Sequence, residues 1–364
     1  MKAAIHNPSQ TASARKLRSP QTALPRLAIA AAAAAVTLAP SSAESSQLTF
    51  TSNWGRVASL PIATAQAAAA VDPSTGYIYL AGGNNGSTPV SSLEIYNPSL
   101  NLWSAESALP TAVSGAAAAY DNGKLFVFGG LTATGSVNTG VQIYSPDVNS
   151  WTTASFSAGT SGSTAVAANG VIYVVGGDNS GTQVVSYSPS TLASQVLPSM
   201  PESRTGHGAA YIGNQLLEYG GYDANVPGAV STGSNYIPAQ NIWGPGFQPM
   251  PTARLDFAYG TLQGQIVAAG GSSSSASDTS PFLTTFETYD PNRNAWYNLN
   301  PPLLVGLREA AGAVSGNTFY VIGGFSASGI SSGVYSITAV PEPAALVLMA
   351  LGGLGLLIRR RGTA

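Results

Sequence analysis

Apolar residues recur along this chain in short runs and not at helical spacing. Six β-prone runs each end at a glycine pair. They are YIYLA before Gly82-Gly83, LFVF before Gly129-Gly130 and VIYVV before Gly176-Gly177, then QLLEY before Gly220-Gly221, QIVAA before Gly270-Gly271 and TFYVI before Gly323-Gly324. Runs this short, rich in branched and aromatic side chains, read as strands. Ahead of each lies a second, mostly alanine-rich run (QAAAAV, GAAAAY, TAVAA, GAAYI, FAYGT, AAGAV). Turns such as DPSTG, DNG and NG separate the two runs, which is hairpin chemistry.

After each pair comes a polar loop and then Tyr96, Tyr144, Tyr187, Tyr236, Tyr289 or Tyr335. Seven residues beyond four of these stand Trp103, Trp151, Trp243 and Trp296, and Ser194 holds that place in the third unit. Successive glycine pairs are 47, 47, 44, 50 and 53 residues apart. The chain therefore repeats one four-stranded unit six times, and residues 124–151 show its layout most regularly. A lone four-stranded unit cannot bury both faces, so the units must pack radially around an axis.

Over about residues 47–338 this pattern resembles the kelch repeat. The resemblance implies an all-β fold, a six-bladed kelch-type β-propeller. The sixth unit has Tyr335 but no Trp after it. The N-terminal stretch has Trp54 ahead of Leu60-Pro61, as Trp103 stands ahead of Leu109-Pro110. We therefore expect residues 48–54 to supply the outer strand of the last blade and close the ring, which removes a free sheet edge.

Both ends read as targeting segments. Residues 1–26 are basic and polar, 27–38 form an apolar run, and Pro40-Ser41-Ser42-Ala43 offers a small-residue exit. A signal peptide over 1–43 is expected. At the other end Val340-Pro341-Glu342-Pro343 precedes the apolar residues 344–358 and then Arg359, Arg360 and Arg361. These three parts, in this order, resemble the PEP-CTERM sorting signal of Gram-negative bacteria. The resemblance implies a transmembrane helix before processing, an exosortase-type enzyme at the inner membrane as partner, and cleavage near the Pro-Glu-Pro. It also implies delivery to the cell surface or exopolysaccharide matrix. The expected organisation is signal peptide 1–43, propeller 44–338 and sorting signal 339–364.

Composition narrows the chemistry. Only 8% of the 364 residues are charged, against roughly a quarter in ordinary soluble domains. Eight of the 14 basic residues lie in the two ends; the body keeps six, against 15 carboxylates, a net of −9. An acidic body with scattered basic residues argues against nucleic acid as a partner. There is no Cys, and His207 is the one histidine of the body. That excludes thiolate sites and the copper centre of galactose oxidase, one of the enzymes built on kelch propellers. No metal site and no cofactor are expected.

In a meandering blade, the loop after the glycine pair and the link into each inner strand emerge on one rim. Arg204, Arg254 and Arg308 stand just before the inner strands of blades four, five and six. Tyr222 and Phe325 open two of the loops, and His207 lies three residues past Arg204. Read functionally, Arg204, His207, Tyr222, Arg254, Arg308 and Phe325 form a ligand-binding rim. Read structurally, the three arginines pair with nearby Glu202, Asp256 and Glu309. Glu218 sits in a strand where other blades place Leu80, Val127, Val174, Ala268 and Val321. It should be a buried acid with a raised pKa unless a partner compensates. The serine-rich stretch 272–281 is the longest loop after a glycine pair. The expected function is that of a non-catalytic surface protein that binds extracellular polysaccharide or a surface protein. The alternative is a carbohydrate-active propeller enzyme, such as a sialic-acid mutarotase-like isomerase using Arg204, His207 and Glu218.

Overall fold

The computed structural model describes residues 47–158, 160–178, 181–274 and 281–340. The expected signal peptide, the expected transmembrane helix and most of the serine-rich loop lie outside the described residues.

Among the described residues, six antiparallel blades follow one another along the chain, with a two-stranded hairpin of Phe325–Ser326 and Gly329–Ile330 beside them. Blade one is Ala68–Val71, Ile78–Ala81, Leu93–Asn97 and Leu102–Ala105. Blade two is Ala117–Asp121, Lys124–Phe128, Gly140–Ser145 and Ser150–Ser155. Blade three is Thr164–Ala168, Val171–Val175, Val184–Tyr187 and Ser194–Val196. Blade four is Gly208–Ile212, Gln215–Tyr219, Gly233–Ile237 and Ile242–Trp243. Blade five is Ala258–Leu262, Gln265–Ala269, Phe286–Asp290 and Ala295–Leu299. Blade six is Ala311–Ser315, Thr318–Ile322 and Val334–Val340, completed by Thr49–Phe50 and Gly55–Arg56 from the start of the body.

The repeat dictates this layering. The alanine-rich runs are the inner strands, where six backbones crowd toward the axis and leave room for small side chains. The runs before the glycine pairs come second and are almost wholly buried. Outer strands are largely exposed. The core lies between neighbouring blades: Tyr79 and Ile95 of blade one, for example, pack with Leu125, Val127 and Tyr144 of blade two.

Ring closure occurs where the sequence predicts, with one difference of register. Thr49 and Phe50 pair with Val340 and Ala339, and Gly55 and Arg56 pair with Ser336 and Tyr335. The first strand takes two more residues than its partner between these pairs, so it bulges. Arg56, not Trp54, therefore stands opposite Tyr335. Its guanidinium lies 5.4 Å from that ring and donates to the hydroxyl. A two-residue shift preserves the face of a strand, so Trp54 still turns inward, 4% exposed, against Phe286 and Phe319. The last strand runs to Val340, two residues past the expected boundary, and Ala339 is buried within it. Residues 47–340 thus hold all six blades and the strands that close them.

The tryptophans are locks between blade and link. Each indole N–H donates to a carbonyl in the link that enters its own blade. The acceptors are Pro301 for Trp54, Ala58 for Trp103, Ser107 for Trp151, Pro198 for Trp243 and Gln248 for Trp296, at 2.7–3.0 Å. A second repeated lock joins it. Tyr96, Tyr144, Tyr236 and Tyr289 each donate a hydroxyl hydrogen bond to the Asn five residues on, at 2.6–2.9 Å. Those asparagines (101, 149, 241 and 294) all adopt positive φ, which Asn tolerates better than most residues.

Blade three lacks both locks. Leu192 takes the Asn place at φ 59° and Ser194 takes the Trp place. Among the described residues the buried Tyr187 hydroxyl has no hydrogen-bond partner. Phe126, Phe128 and Phe156 pack around Tyr187 instead. Replacing Leu192 by Asn and Ser194 by Trp should raise unfolding stability by about 1–2 kcal/mol, from relief of left-handed strain and one or two regained hydrogen bonds. Urea midpoints check this; a lower midpoint in the double variant contradicts it.

Candidate functional site

Two rings of backbone hydrogen bonds hold the blades to one another and frame one mouth of the channel. In the first, the second glycine of each pair donates to the next blade. Gly83 bonds the Val113 carbonyl, Gly130 that of Thr160, Gly177 that of Arg204, Gly221 that of Arg254, Gly271 that of Leu307 and Gly324 that of Thr64. In the second, one residue at the head of each inner strand donates to its counterpart in the preceding blade. Gln66, Gly115, Gly162, Gly206, Asp256 and Glu309 form this closed six-membered circle at 2.7–3.0 Å. All six have φ between 53° and 69°. Glycine accepts that geometry freely; Gln66, Asp256 and Glu309 hold it at a cost of about 1–2 kcal/mol each. Those three belong to consecutive blades, so their side chains decorate one half of the mouth while glycines line the other.

These rings correct the alignment of the three arginines. Arg204 and Arg254 both lie two residues before the inner ring, with carbonyls in the outer one. The same place in blade six is Leu307, which is 1% exposed. Arg308 stands one residue later, bridged to Phe325 as Thr205 is to Tyr222 and Leu255 to Ser272. One position along an extended chain reverses the face. Arg204 and Arg254 therefore turn into their blades, both fully buried, and Arg308 turns to the mouth.

Within the blades the two buried arginines meet acids that have exchanged strands. Arg254 is held by Glu287 at 2.8 Å, by the Gly270 and Thr285 carbonyls and by the Thr285 hydroxyl. Arg204 is held by Glu202, by the Thr232 hydroxyl and by Glu218 at 3.2 Å. In blade five the cross-strand pair is Ala268 and Glu287; in blade four it is Glu218 and Ser234. The acid has moved across the ladder from the third strand to the second while the arginine kept its place. That accounts for the acid that looks anomalous in the sequence: Glu218 is 0% exposed, in an ion pair of its own blade. Blade one retains the acid, Glu94, with Thr64 in place of the arginine. Burial raises its pKa, and Oε2 has no hydrogen-bond partner among the described residues.

His207 is wedged between blades three and four. It is 2% exposed, with Nε2 3.3 Å from the Thr164 hydroxyl and Nδ1 without a partner among the described residues. Burial, reinforced by the Arg204 charge, lowers its pKa to about 3. Burial pushes Glu218 up to about 7, against the pull of Arg204. The two act oppositely on stability. Folded Glu218 holds its proton more tightly than in the unfolded chain, so its contribution is lost as pH rises from about 4.5 through 7. Folded His207 resists protonation, so its contribution is lost as pH falls from 6.5 toward 3. In Glu218→Gln, acidification from pH 7.5 to 5 should therefore cost roughly 1–2 kcal/mol more than in the wild type. Urea titrations at the two pH values read this directly; identical pH dependence in both proteins contradicts it.

What remains at the mouth is a cavity of about 690 Å³. Its wall includes Gln66, Asp178, Thr205, Tyr222, Asp256 and Glu309 among alanines and glycines of the inner strands. Burial and the neighbouring Glu309 and Asp178 push Asp256 up to about 7, against Arg308. Asp178 accepts a 2.7 Å hydrogen bond from Thr205. Arg308 lies 3.7 Å from Glu309 and between two rings, 5.7 Å from that of Phe325 and 5.9 Å from that of Phe282. Of the residues expected at a binding rim, Tyr222 and the nearly buried His207 line this cavity, Arg308 and Phe325 stand beside it, and Arg204 and Arg254 lie inside blades; Glu218, expected as a buried acid, is buried. Asp256, Glu309, Gln66 and Phe282 were not singled out by sequence reasoning as ligand contacts.

Known proteins share these features. Residues 49–221 match the KLHDC2/KLHL20/DRC7 Kelch-repeats domain, residues 253–303 the Kelch motif, and residues 339–361 the PEP-CTERM protein-sorting motif. A Kelch-like protein terF of Aspergillus terreus is 30% identical over 218 residues, 55% of this chain and 47% of that protein. A Kelch domain-containing protein of Sulfurisphaera tokodaii is 27% identical over 166 residues, 43% of this chain and 23% of that protein. The chain spans less than half the length of these two relatives. The structure of YjhT superposes with a TM-score of 0.64 at 18% identity, covering 77% of this chain and 96% of that one, a likeness of fold. The sorting motif marks export through the exosortase pathway of Gram-negative bacteria. Six blades locked by glycine pairs, tyrosines and tryptophans, followed by that motif, make this chain a member of the kelch-repeat β-propellers that carries a PEP-CTERM sorting signal.

Proposed function

We propose that the protein is displayed at the cell surface or in the exopolysaccharide matrix, where its propeller binds extracellular glycan or a surface protein without catalysis. The observation that carries this reading is the division of polar residues. The mouth presents a cavity with carboxylates, an amide, a hydroxyl and aromatic rings around it, a pattern suited to holding a ligand. The three residues of the alternative isomerase reading, Arg204, His207 and Glu218, are buried. Arg204 and Glu218 are 0% exposed in their ion pair, and His207 is buried and kept neutral. Arg204 and Glu218 are thus engaged with each other, and His207, although it borders the cavity, is 2% exposed, which speaks against a mutarotase-like site made of those three residues.

The kelch family model and the sorting motif support an exported binding module. The test is retention of the producing bacterium's exopolysaccharide and surface proteins by immobilised residues 44–340. The wild type should retain a component that Tyr222→Ala/Phe325→Ala loses at least tenfold, with both proteins equally folded. Equal retention by the two would move binding away from the mouth. Turnover of a retained sugar would overturn the non-catalytic reading.

A further inference from the structure

We infer that the blade five and six half of the mouth is built to take an uncharged sugar ring and to refuse anionic polysaccharide. The inference rests on the binding role proposed for this mouth and adds the class of ligand.

Three observations combine. First, Arg308 offers little to an anion. Its side chain is 12% exposed, lies near Glu309, and is flanked by Phe282 and Phe325. Second, Phe282 and Phe325 are themselves partly exposed. Phe325 holds the position in its blade that Leu131, Asp178 and Tyr222 hold in the cavity wall. Partly exposed aromatic rings beside a polar cavity suit the C–H face of a pyranose, since such sites combine apolar contact with a few placed polar groups. Third, apart from Arg308 beside it, the charged groups of the cavity wall are carboxylates, which accept hydrogen bonds. Asp256 and Glu309 occupy consecutive positions of the inner ring, and Asp178 lies in the same cavity wall.

Hydroxyl groups donate to carboxylates in charge-assisted hydrogen bonds, so an uncharged sugar gains from this lining. A uronate, sialate or sulfate would bring like charge into a concave site where screening by salt is weak. The crowding of carboxylates is felt within the protein itself, because Glu309 and Asp178 both help to raise the Asp256 pKa. Arginines before three inner strands suggest a rim of hydrogen-bond donors; the fold turns two of them inward and leaves carboxylates in the cavity wall.

The test is an array of matched neutral, uronate-bearing and sulfated oligosaccharides, read with residues 44–340 at pH 7.5 and low salt. Neutral sugars should be retained at least tenfold more tightly than their acidic counterparts. Asp256→Asn/Glu309→Gln should narrow that gap to less than threefold. Phe325→Ala should weaken neutral binding about tenfold with an unchanged thermal midpoint. Acidic sugars bound as tightly as neutral ones would overturn the inference while leaving binding at the mouth intact. A silent array would overturn the sugar reading altogether and leave a protein as the partner to be sought.

Discussion

Replacing Gly129 by alanine should destabilise the propeller by about 3–5 kcal/mol, among the largest effects of any single methyl group here. Two costs combine. Gly129 has φ +67°, a left-handed geometry that costs an alanine about 1–2 kcal/mol. A Cβ there would also collide with the Thr160 carbonyl of the next blade, the acceptor for Gly130. That carbonyl belongs to the ring of inter-blade bonds, so it cannot retreat without breaking one. Gly123 is the internal control. It too has positive φ, at +73°, but a Cβ would meet nothing within 4 Å. Gly123→Ala should cost only the conformational part, about 1–2 kcal/mol. Thermal and urea unfolding of the two variants read the difference; equal losses would mean that the glycine pair is needed only for its backbone angles.

Removing Glu287 should cost a similar 3–5 kcal/mol, because it strands the Arg254 guanidinium inside blade five. Most of that loss should return when the acid is moved and not restored. Ala268→Glu/Glu287→Ser copies the arrangement of blade four, in which Glu218 faces Ser234 across the ladder and still reaches Arg204. The relocated variant should fall within about 2 kcal/mol of the wild type, the remainder reflecting imperfect packing around a new side chain. The blades offer matching frames for the experiment, since Thr232 and Thr285 place a hydroxyl against each arginine. If the relocated variant is no more stable than Glu287→Ala, then Glu218 is not the displaced structural acid described here.

The fold was legible because its determinants recur. Glycine pairs, tyrosines and tryptophans each repeat for a mechanical reason, and repetition survives local irregularity. The closing strand was legible from one misplaced Trp54, although its bulge and the pairing of Arg56 with Tyr335 left no mark in the sequence. Asn101, Asn149, Asn241 and Asn294 were legible and overlooked: an Asn five residues after a repeated Tyr is as regular a signal as the tryptophans. The mouth was harder to read. Arg308 resembles Arg204 and Arg254 by residue type, and spacing in a link of variable length cannot exclude a slip of one residue. In three dimensions that slip decides whether a guanidinium enters a blade or faces the channel. Asp256 and Glu309 were considered only as partners for neighbouring arginines. Their place is glycine in blades two, three and four and Gln66 in blade one, so no residue type marks it. Only the shared left-handed backbone and the circle of hydrogen bonds identify the six positions as equivalent. Sequence therefore carried the scaffold, whose parts repeat, more fully than the site, which lies where the repeats differ.

The most direct test of the proposed binding mouth is carboxylate footprinting of residues 44–340 with and without the producing bacterium's exopolysaccharide. Water-soluble carbodiimide and an amine tag label accessible acids, and peptide mass spectrometry locates them. The ligand should protect Asp178, Asp256 and Glu309 while leaving Asp121 and Asp147, distant from the mouth in the blade two hairpin turn and outer link, labelled as before. Protection confined to Asp121 and Asp147, with the mouth carboxylates still labelled, would contradict the account.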